Sequence, residues 1–193
     1  FSNPLSGVQY VGYNTYQPSL AGEDVDNVVV NWIQLSNVSK KAERGTLYFY
    51  DMSGKEIRSS KLTLKTGQRV DYPAHIVGRS QVGLVEWIPD NTDSQFMLRN
   101  VRYLYNNPIA DEHFDTAFQL EGTKGSGEKL IAPVDTREGT AVVEMSNVSS
   151  SKIRLGLKIY AADGQVKTSK IITLAAKASV HVIVNDLYDN SLA

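Results

Sequence analysis

The sequence has 193 residues, no cysteine and a formal net charge of −1. These values exclude disulfides, thiolate metal sites and cysteine nucleophiles, and they give no electrostatic reason to expect nucleic acid or an anionic membrane surface as a partner. No apolar run reaches the length of a membrane span. The length fits one large domain or two domains of roughly 90–100 residues.

The first half of the chain carries short apolar stretches of strand length. A strand that contains Ile33 and Leu35 ends at the letters SNVS, and the next strand leads into the turn YDMSGK. A glycine in such a turn can adopt a positive φ and close a hairpin. Further strand candidates follow at Val70–Tyr72, Gln81–Ile88 and Phe96–Tyr105. No segment sustains a 3.6-residue period, so we expect little helix.

The second half begins after a polar segment and repeats the strand pattern. Asn106–His113 (NNPIADEH) contains a proline and is the predicted linker, whereas Lys124–Lys129 (KGSGEK) is a loop without a phosphate-binding pattern. Apolar residues alternate with other residues over Ile153–Ile159, which predicts a half-buried strand. The turn YAADGQ, a strand ending in Thr173–Leu174 and a strand at Val180–Val184 follow.

The two halves match when the chain is shifted against itself by 110 residues. SNVS at Ser36–Ser39 then lies over SNVS at Ser146–Ser149, and twelve identities occur between the 35-residue stretches 36–70 and 146–180. A fixed period with a matching hydrophobic pattern is typical of a repeated structural unit. The sequence therefore predicts an all-β protein of two tandem immunoglobulin-like β-sandwich units, residues 1–107 and residues 108–193.

The two predicted units differ in strand number. Shifted by 110, the first unit's strands at 81–105 would fall at positions from 191 onward, where the sequence ends. Either strand usage differs between the units, or the sequence stops short of these strands, or the second unit is an incomplete sandwich. In the last case its open edge would accept a strand from elsewhere, because exposed strand edges template such addition.

The second unit shows V-x-x-S-N before a turn, and the first shows I-x-x-S-N at the same place. In both units a strand, Y-x-x-x-G and a strand ending in Thr-Leu follow. In this respect the units resemble bacterial cell-surface immunoglobulin-like modules, of the cell-adhesion-related type, and their fibronectin-like relatives. The resemblance implies an extracytoplasmic, non-catalytic module used in tandem, and it carries over no functional residues. We therefore expect a structural or adhesion module that binds a protein or polysaccharide at the cell surface, without a cofactor, with strand-exchange oligomers as a variant.

The alternative is a carbohydrate-binding module of a secreted hydrolase, for which the aromatic residues are the candidate ligand contacts. Both tryptophans and eight of the ten tyrosines lie in the first 105 residues. Strand alternation places Trp32 on the face opposite Ile33 and Leu35, and Trp87 on the face opposite Leu84 and Ile88. With Tyr48 and Tyr103, these residues form a candidate platform for sugar rings or a protein partner. The competing interpretation is that other parts of the chain cover them.

Other chemistry-bearing residues have a structural interpretation and a functional one. Asn37 and Asn147 fit the N-glycosylation pattern, but their matched positions favour turns that the side chains close with their own backbone. The three histidines, of which His181 is expected to face solvent, show no catalytic or metal-ligand spacing. The acidic residues Asp111, Glu112 and Asp115 in and beside the linker would serve a calcium site only if several oxygens converged. We expect solvated loops, no metal and no enzyme.

Overall fold

The structure, a computed structural model, describes residues 3–15, 28–77, 81–105, 114–127, 129–134, 136 and 141–187; for residues 28, 29, 75, 76, 104, 105 and 114–116 it describes the backbone alone. Strands dominate these residues, and the helical ones are confined to two single-turn 3-10 helices, Ala74–Val77 and Val184–Leu187. The predicted all-β class with little helix is confirmed. In the described part of the chain no helix is long and apolar enough to cross a membrane.

Nine antiparallel strands form an N-terminal sandwich of two sheets. The strands are β1 (Leu5–Ser6), β2 (Gln9–Asn14), β3 (Val28–Asn37), β4 (Glu43–Tyr50), β5 (Glu56–Leu64), β6 (Arg69–Pro73), β7 (Val82–Pro89), β8 (Gln95–Tyr105) and β9 (Phe114–Glu121). The first sheet has the order β6–β3–β8, with β1 and β9 both on the far side of β8, and the second sheet has the order β2–β7–β4–β5.

Side-chain alternation along these strands builds the core between the two sheets. In β4, for example, Leu47 and Phe49 are buried while Tyr48 and Tyr50 on the opposite face are only partly buried. This is the pattern of strands that turn one face to a core. The buried apolar residues of the cluster are Val11, Tyr13, Ile33, Leu35, Leu47, Phe49, Leu64, Ala74, Val85, Trp87, Phe96 and Leu98.

Four further strands form a smaller C-terminal sandwich. The third sheet pairs β10 (Val142–Ser146) with β13 (Ser179–Ile183), and the fourth sheet pairs β11 (Ile153–Tyr160) with β12 (Val166–Leu174). Its buried apolar cluster contains Ile172, Leu174, Ala178 and Val182, with Met145, Leu155 and Leu157 among the partly buried residues packed against it. This core is smaller and less completely buried than that of the N-terminal sandwich.

The bounds of β4, β5, β6 and the first 3-10 helix coincide with those of β11, β12, β13 and the second 3-10 helix when 110 is added to each residue number. The strand registers agree as well. A register shift follows Phe49 in β4, and a shift follows Ile159 at the matching position of β11. These elements therefore share local geometry as well as sequence.

The four sheets are stacked as layers, because the third sheet packs on the outer face of the second. β13 lies against β7, and β10 lies against β2. The predicted linker and boundary at residues 106–113 lie outside the described residues. On the C-terminal side of that boundary, β9 pairs with β8 from Arg99 to Tyr105 and thereby extends the first sheet.

Candidate binding site

The paired SNVS segments have the same structural role in both sandwiches. Asn37 is fully buried, and its amide nitrogen donates to the carbonyl oxygens of Lys41, Leu64 and Lys65 at 2.9–3.3 Å, while its Oδ1 accepts from the Ser39 N–H. Asn147 is 1% exposed and makes the corresponding four bonds 110 residues later. Such buried amides join a strand end to the next hairpin, as the structural interpretation predicted.

The four candidate aromatic residues do not share a surface. Trp87 is fully buried and its ring meets that of Phe96 edge-to-face at 4.8 Å, so its predicted outward orientation is wrong. Tyr48 lies on the outer face of the second sheet, where it stacks on Tyr50. Trp32 lies on the outer face of the first sheet as predicted, partly buried, and Tyr103 lies on that same face because it pairs with Val30 of β3.

The alternation predicted for His181 holds, but the face it occupies is covered by the N-terminal sandwich. The His181 side chain is 10% exposed, and its Nδ1 lies 3.2 Å from the Asn14 Nδ2 and 3.9 Å from Glu144. Among the described residues no group of three histidine or acidic side chains is arranged to hold a metal ion. His113, Asp111 and Glu112 lie outside the described residues, as do the side chains of His75 and Asp115.

A buried ion pair joins the two sandwiches beside β2. Arg102 reaches from β8 past the Gly12 carbonyl and donates two hydrogen bonds to Glu144 of β10, the shorter at 2.7 Å. Asn14 donates a third bond to the same carboxylate. Burial alone would raise the pKa of Glu144, but the hydrogen bonds and the charge of Arg102 outweigh burial and lower that pKa below its usual value.

A second buried ion pair holds the other side of this junction. Lys177 donates from Nζ to Glu86 at 2.7 Å and to the Val148 carbonyl at 2.8 Å, and it lies over the Tyr10 ring. Lys177 has φ +58°, the one positive φ at a described residue other than glycine. Its counterpart 110 residues earlier is Gly67, with φ +71°. A lysine in this strained conformation is consistent with a positional role for its side chain.

None of the four charged residues of this junction was predicted from the sequence. The available signal was a charge inside an otherwise apolar strand, as for Glu86 in VGLVEWIP and Glu144 in VVEMS. Lys177 carried a second signal, because the repeat aligns it with a glycine at a turn. These residues hold the third sheet against the N-terminal sandwich, so their side chains are engaged within the molecule. The candidate site that remains is formed by the strand edges of the C-terminal sandwich.

Those edges differ between the sandwiches. In the N-terminal sandwich β3 pairs with both β6 and β8, and β4 pairs with both β5 and β7. At the matching positions, within the described residues, β10 pairs only with β13 and β11 pairs only with β12. A 410 Å³ groove lies on the opposite side, between β12 and β13. Unpaired edges carry backbone donors and acceptors that are available to an added strand.

Comparison with known proteins adds little to this description. No protein-family model matches the chain, and no curated protein matches it. A solved structure titled "Crystal Structure of Thermotoga maritima 1070" resembles it with 9% sequence identity and a TM-score of 0.42, covering 64% of this chain and 98% of that chain. At this level the similarity shows neither a family nor a function for the present chain.

Proposed function

We propose that this protein is a non-catalytic binding or structural module that accepts a β-strand at the open edges of its C-terminal sandwich. The observation that carries the proposal is internal: among the residues that the structure describes, β3 and β4 each have two neighbours, whereas their counterparts β10 and β11 each have one. The described part of the molecule thus contains both filled and unfilled versions of the same two strand positions. A strand from a partner would complete the second.

The backbone geometry of both edges suits strand addition. Asn147 donates its N–H to the Ala178 carbonyl, and Ala141 accepts from Val184. Because antiparallel bonding alternates, the N–H and C=O groups of Val142, Glu144 and Ser146 in β10 point away from β13. For β11 the same reasoning, from the register it shares with β4, assigns the outward groups to positions 154, 156, 158 and 160.

The side chains of β11 also support a missing neighbour. Leu157 remains partly exposed, whereas its counterpart Leu47 in β4 is fully buried beneath β7 and the opposing sheet. Leu155 is likewise partly exposed. Covering these side chains with the apolar residues of an added strand would remove them from water, which stabilises the complex.

The predicted organisation as two related tandem units and the predicted extracytoplasmic location belong to the same proposal. The shared 110-residue offset of sequence, strand bounds and Asn hydrogen bonding supports the first. The resemblance to bacterial cell-surface immunoglobulin-like modules supports the second, and modules of that kind act by binding and assembly. The partner is then a surface protein, or a second copy in a strand-exchange oligomer.

Hydrogen–deuterium exchange on the intact protein tests the proposal. Peptides copying β7 and β8, the strands that fill the matching positions, are added separately, and scrambled peptides serve as controls. The β7 peptide carries Trp87→Val, because Leu155 stands at the position of Gly45, which makes room for the Trp87 ring. We expect slower exchange at Val142, Glu144 and Ser146 with the β8 peptide and at 154–160 with the β7 peptide, because new bonds protect the outward amides. Equal exchange with the copied and scrambled peptides would refute strand acceptance.

Polysaccharide binding remains a second candidate for a different surface. Trp32 and Tyr103 occupy diagonal positions on the outer face of the first sheet, since Trp32 pairs with Val101 and Tyr103 with Val30. Diagonal neighbours of this kind lie within reach of aromatic side chains. We expect Trp32→Ala and Tyr103→Ala each to weaken retention on immobilised polysaccharide, with Tyr48→Ala as the control on the other sheet. Unchanged retention in both variants would exclude this face.

A further inference from the structure

The filled strand position in the N-terminal sandwich has a specific charge pattern. In the register of β4 with β7, Tyr48 lies opposite Glu86, and Arg44 accepts a backbone hydrogen bond from Asp90 at 2.9 Å. The strand that fills this position therefore presents two acidic residues four apart, with Ile88 between them on the same outer face. The residues that alternate with them, Val85 among them, face the core.

The open β11 edge presents cations at the matching positions. Arg154 corresponds to Arg44 and Lys158 corresponds to Tyr48, and both side chains are exposed on the outer face with Gly156 between them. Hairpin residues 152–174 contain five basic residues and one acidic residue, Asp163, which gives +5 − 1 = +4 in a chain of net charge −1. This charge is concentrated beside an unfilled strand position.

The same cations oppose pairing of β11 with a second copy of itself. An antiparallel pair centred on Gly156 would place Arg154 of each copy opposite Lys158 of the other. Like charges directly opposite in a sheet are destabilising, and lysine on an edge strand is a common guard against edge-to-edge association. The occupant of this edge is therefore a chain that carries the opposite charge.

We propose that the β11 edge binds an extended segment of a partner protein in which two acidic residues, four apart, flank an outward apolar residue. The segment runs antiparallel to β11, as β7 does to β4, so its acids lie opposite Lys158 and Arg154. The inward residues between them are apolar and cover Leu155 and Leu157. This inference rests on the proposed strand acceptance and adds the chemistry of the partner.

The structure also limits the size of the inward residues. A Cβ built on Gly45 would come within 2.6 Å of the Trp87 ring, so the glycine makes room for that tryptophan. At the matching position the C-terminal sandwich has Leu155, whose side chain occupies this room. The partner segment therefore carries valine or isoleucine, and not tryptophan, opposite Leu157.

The probe is a labelled, end-capped peptide copying residues 82–90 with Trp87→Val, and its binding to the intact protein is measured by fluorescence anisotropy. The matched peptide carries Glu86→Gln and Asp90→Asn in addition. Two exposed cross-strand ion pairs correspond to roughly a 3- to 10-fold difference in affinity at low ionic strength. We expect the acidic peptide to bind more tightly by that factor, and the difference to shrink as salt is added.

Four variants of the protein locate the peptide. Gly156→Pro removes an outward N–H without breaking a bond to β12, and Gly156→Ala is its control because a Cβ there meets nothing within 4 Å. We expect the proline to abolish binding and the alanine to preserve it. Lys158→Glu should remove the preference between the peptides, because the repulsion it creates offsets the remaining attraction to Arg154. Lys167→Glu, which makes the same charge change on β12, should leave the preference unchanged.

The possible failures are distinguishable. If both peptides bind equally and Gly156→Pro abolishes this binding, strand acceptance stands and the selection for acidic residues is overturned. Binding that survives Gly156→Pro would place the peptide elsewhere and overturn the inference. If the wild-type protein self-associates and Gly156→Pro removes this self-association, the occupant of the β11 edge is a second copy of the chain and the acidic partner is overturned. No binding of any peptide, with no protection in the exchange experiment, would overturn both the inference and the proposed function.

Discussion

Replacing Gly54 by alanine tests how tightly the two sandwiches are joined. Gly54 ends the β4–β5 turn with φ +88°, and a Cβ built on it would lie 2.0 Å from the Ala176 carbonyl oxygen and 2.8 Å from the Ala178 nitrogen. Both atoms are backbone atoms of the β12–β13 turn, and Ser179 donates its N–H to the Met52 carbonyl beside them. The substitution therefore forces the two turns apart.

The chain contains a matched control for this substitution. Gly164 occupies the same position in the β11–β12 turn with φ +84°, and a Cβ built there meets nothing within 4 Å. Alanine at a left-handed position costs about 1–2 kcal/mol, and this cost applies to both sites. At Gly54 a steric cost of roughly 1–3 kcal/mol adds to it, because packed backbone has to move.

Urea unfolding of the two variants, followed by circular dichroism and tryptophan fluorescence, measures the difference. We expect Gly164→Ala to lower the free energy of unfolding by about 1–2 kcal/mol and Gly54→Ala to lower it by about 2–5 kcal/mol. The Gly54 variant should also exchange the Ser179 amide faster, because the bond to Met52 is lost. Equal losses in the two variants would show that the turns are not in contact in solution.

The junction and the turn asparagines give three more expectations. Lys177→Met should lower the free energy of unfolding by about 3–5 kcal/mol, because it leaves the buried Glu86 without its cation. In a double-mutant cycle, adding Glu86→Gln should recover part of that loss, and strict additivity of the two changes would contradict the ion pair. Because the folded-state pKa of Glu144 is lowered, the ionised Glu144 carboxylate contributes to stability above the usual pKa of 4.5, and this contribution is lost as the pH falls below that value. Glu144→Gln should therefore flatten the acidic part of a curve of unfolding free energy against pH. An unchanged slope would count against the Arg102 pair. Asn37→Ala and Asn147→Ala should each cost about 2 kcal/mol or more in thermal unfolding, since buried carbonyl groups lose their donor, and a neutral result at either site would contradict the shared turn role.

The sequence predicts local geometry well where the repeat supplies a second copy of the pattern. The hairpins on either side of Gly54 and Gly164, and the turns closed by Asn37 and Asn147, follow from residues near each other in the chain. The side-chain hydrogen bonds of the two asparagines span at most 28 residues, so pattern and turn chemistry are sufficient to place them.

The sequence predicts less where two faces of a strand are buried by different parts of the molecule. β7 is apolar on both faces, so alternation could not indicate which face holds Trp87 and which meets the C-terminal sandwich. His181 was expected in solvent because its alternation was read without the second sheet that covers it. The pairing of β9 with β8 likewise depends on long-range contacts that no local pattern encodes.

The stacking of the third sheet on the second has a consequence for the tolerance of this chain to substitution. Within β7, seven of the eight residues are buried, and only Ile88, at 37%, is exposed. One set of alternate residues serves the N-terminal core, and the other set, with Leu84 and Glu86, serves the junction. In a saturation mutagenesis experiment β7 should therefore appear as an almost unbroken intolerant block, whereas β5 and β12, at the margins of their sheets, should accept a change at nearly every second position.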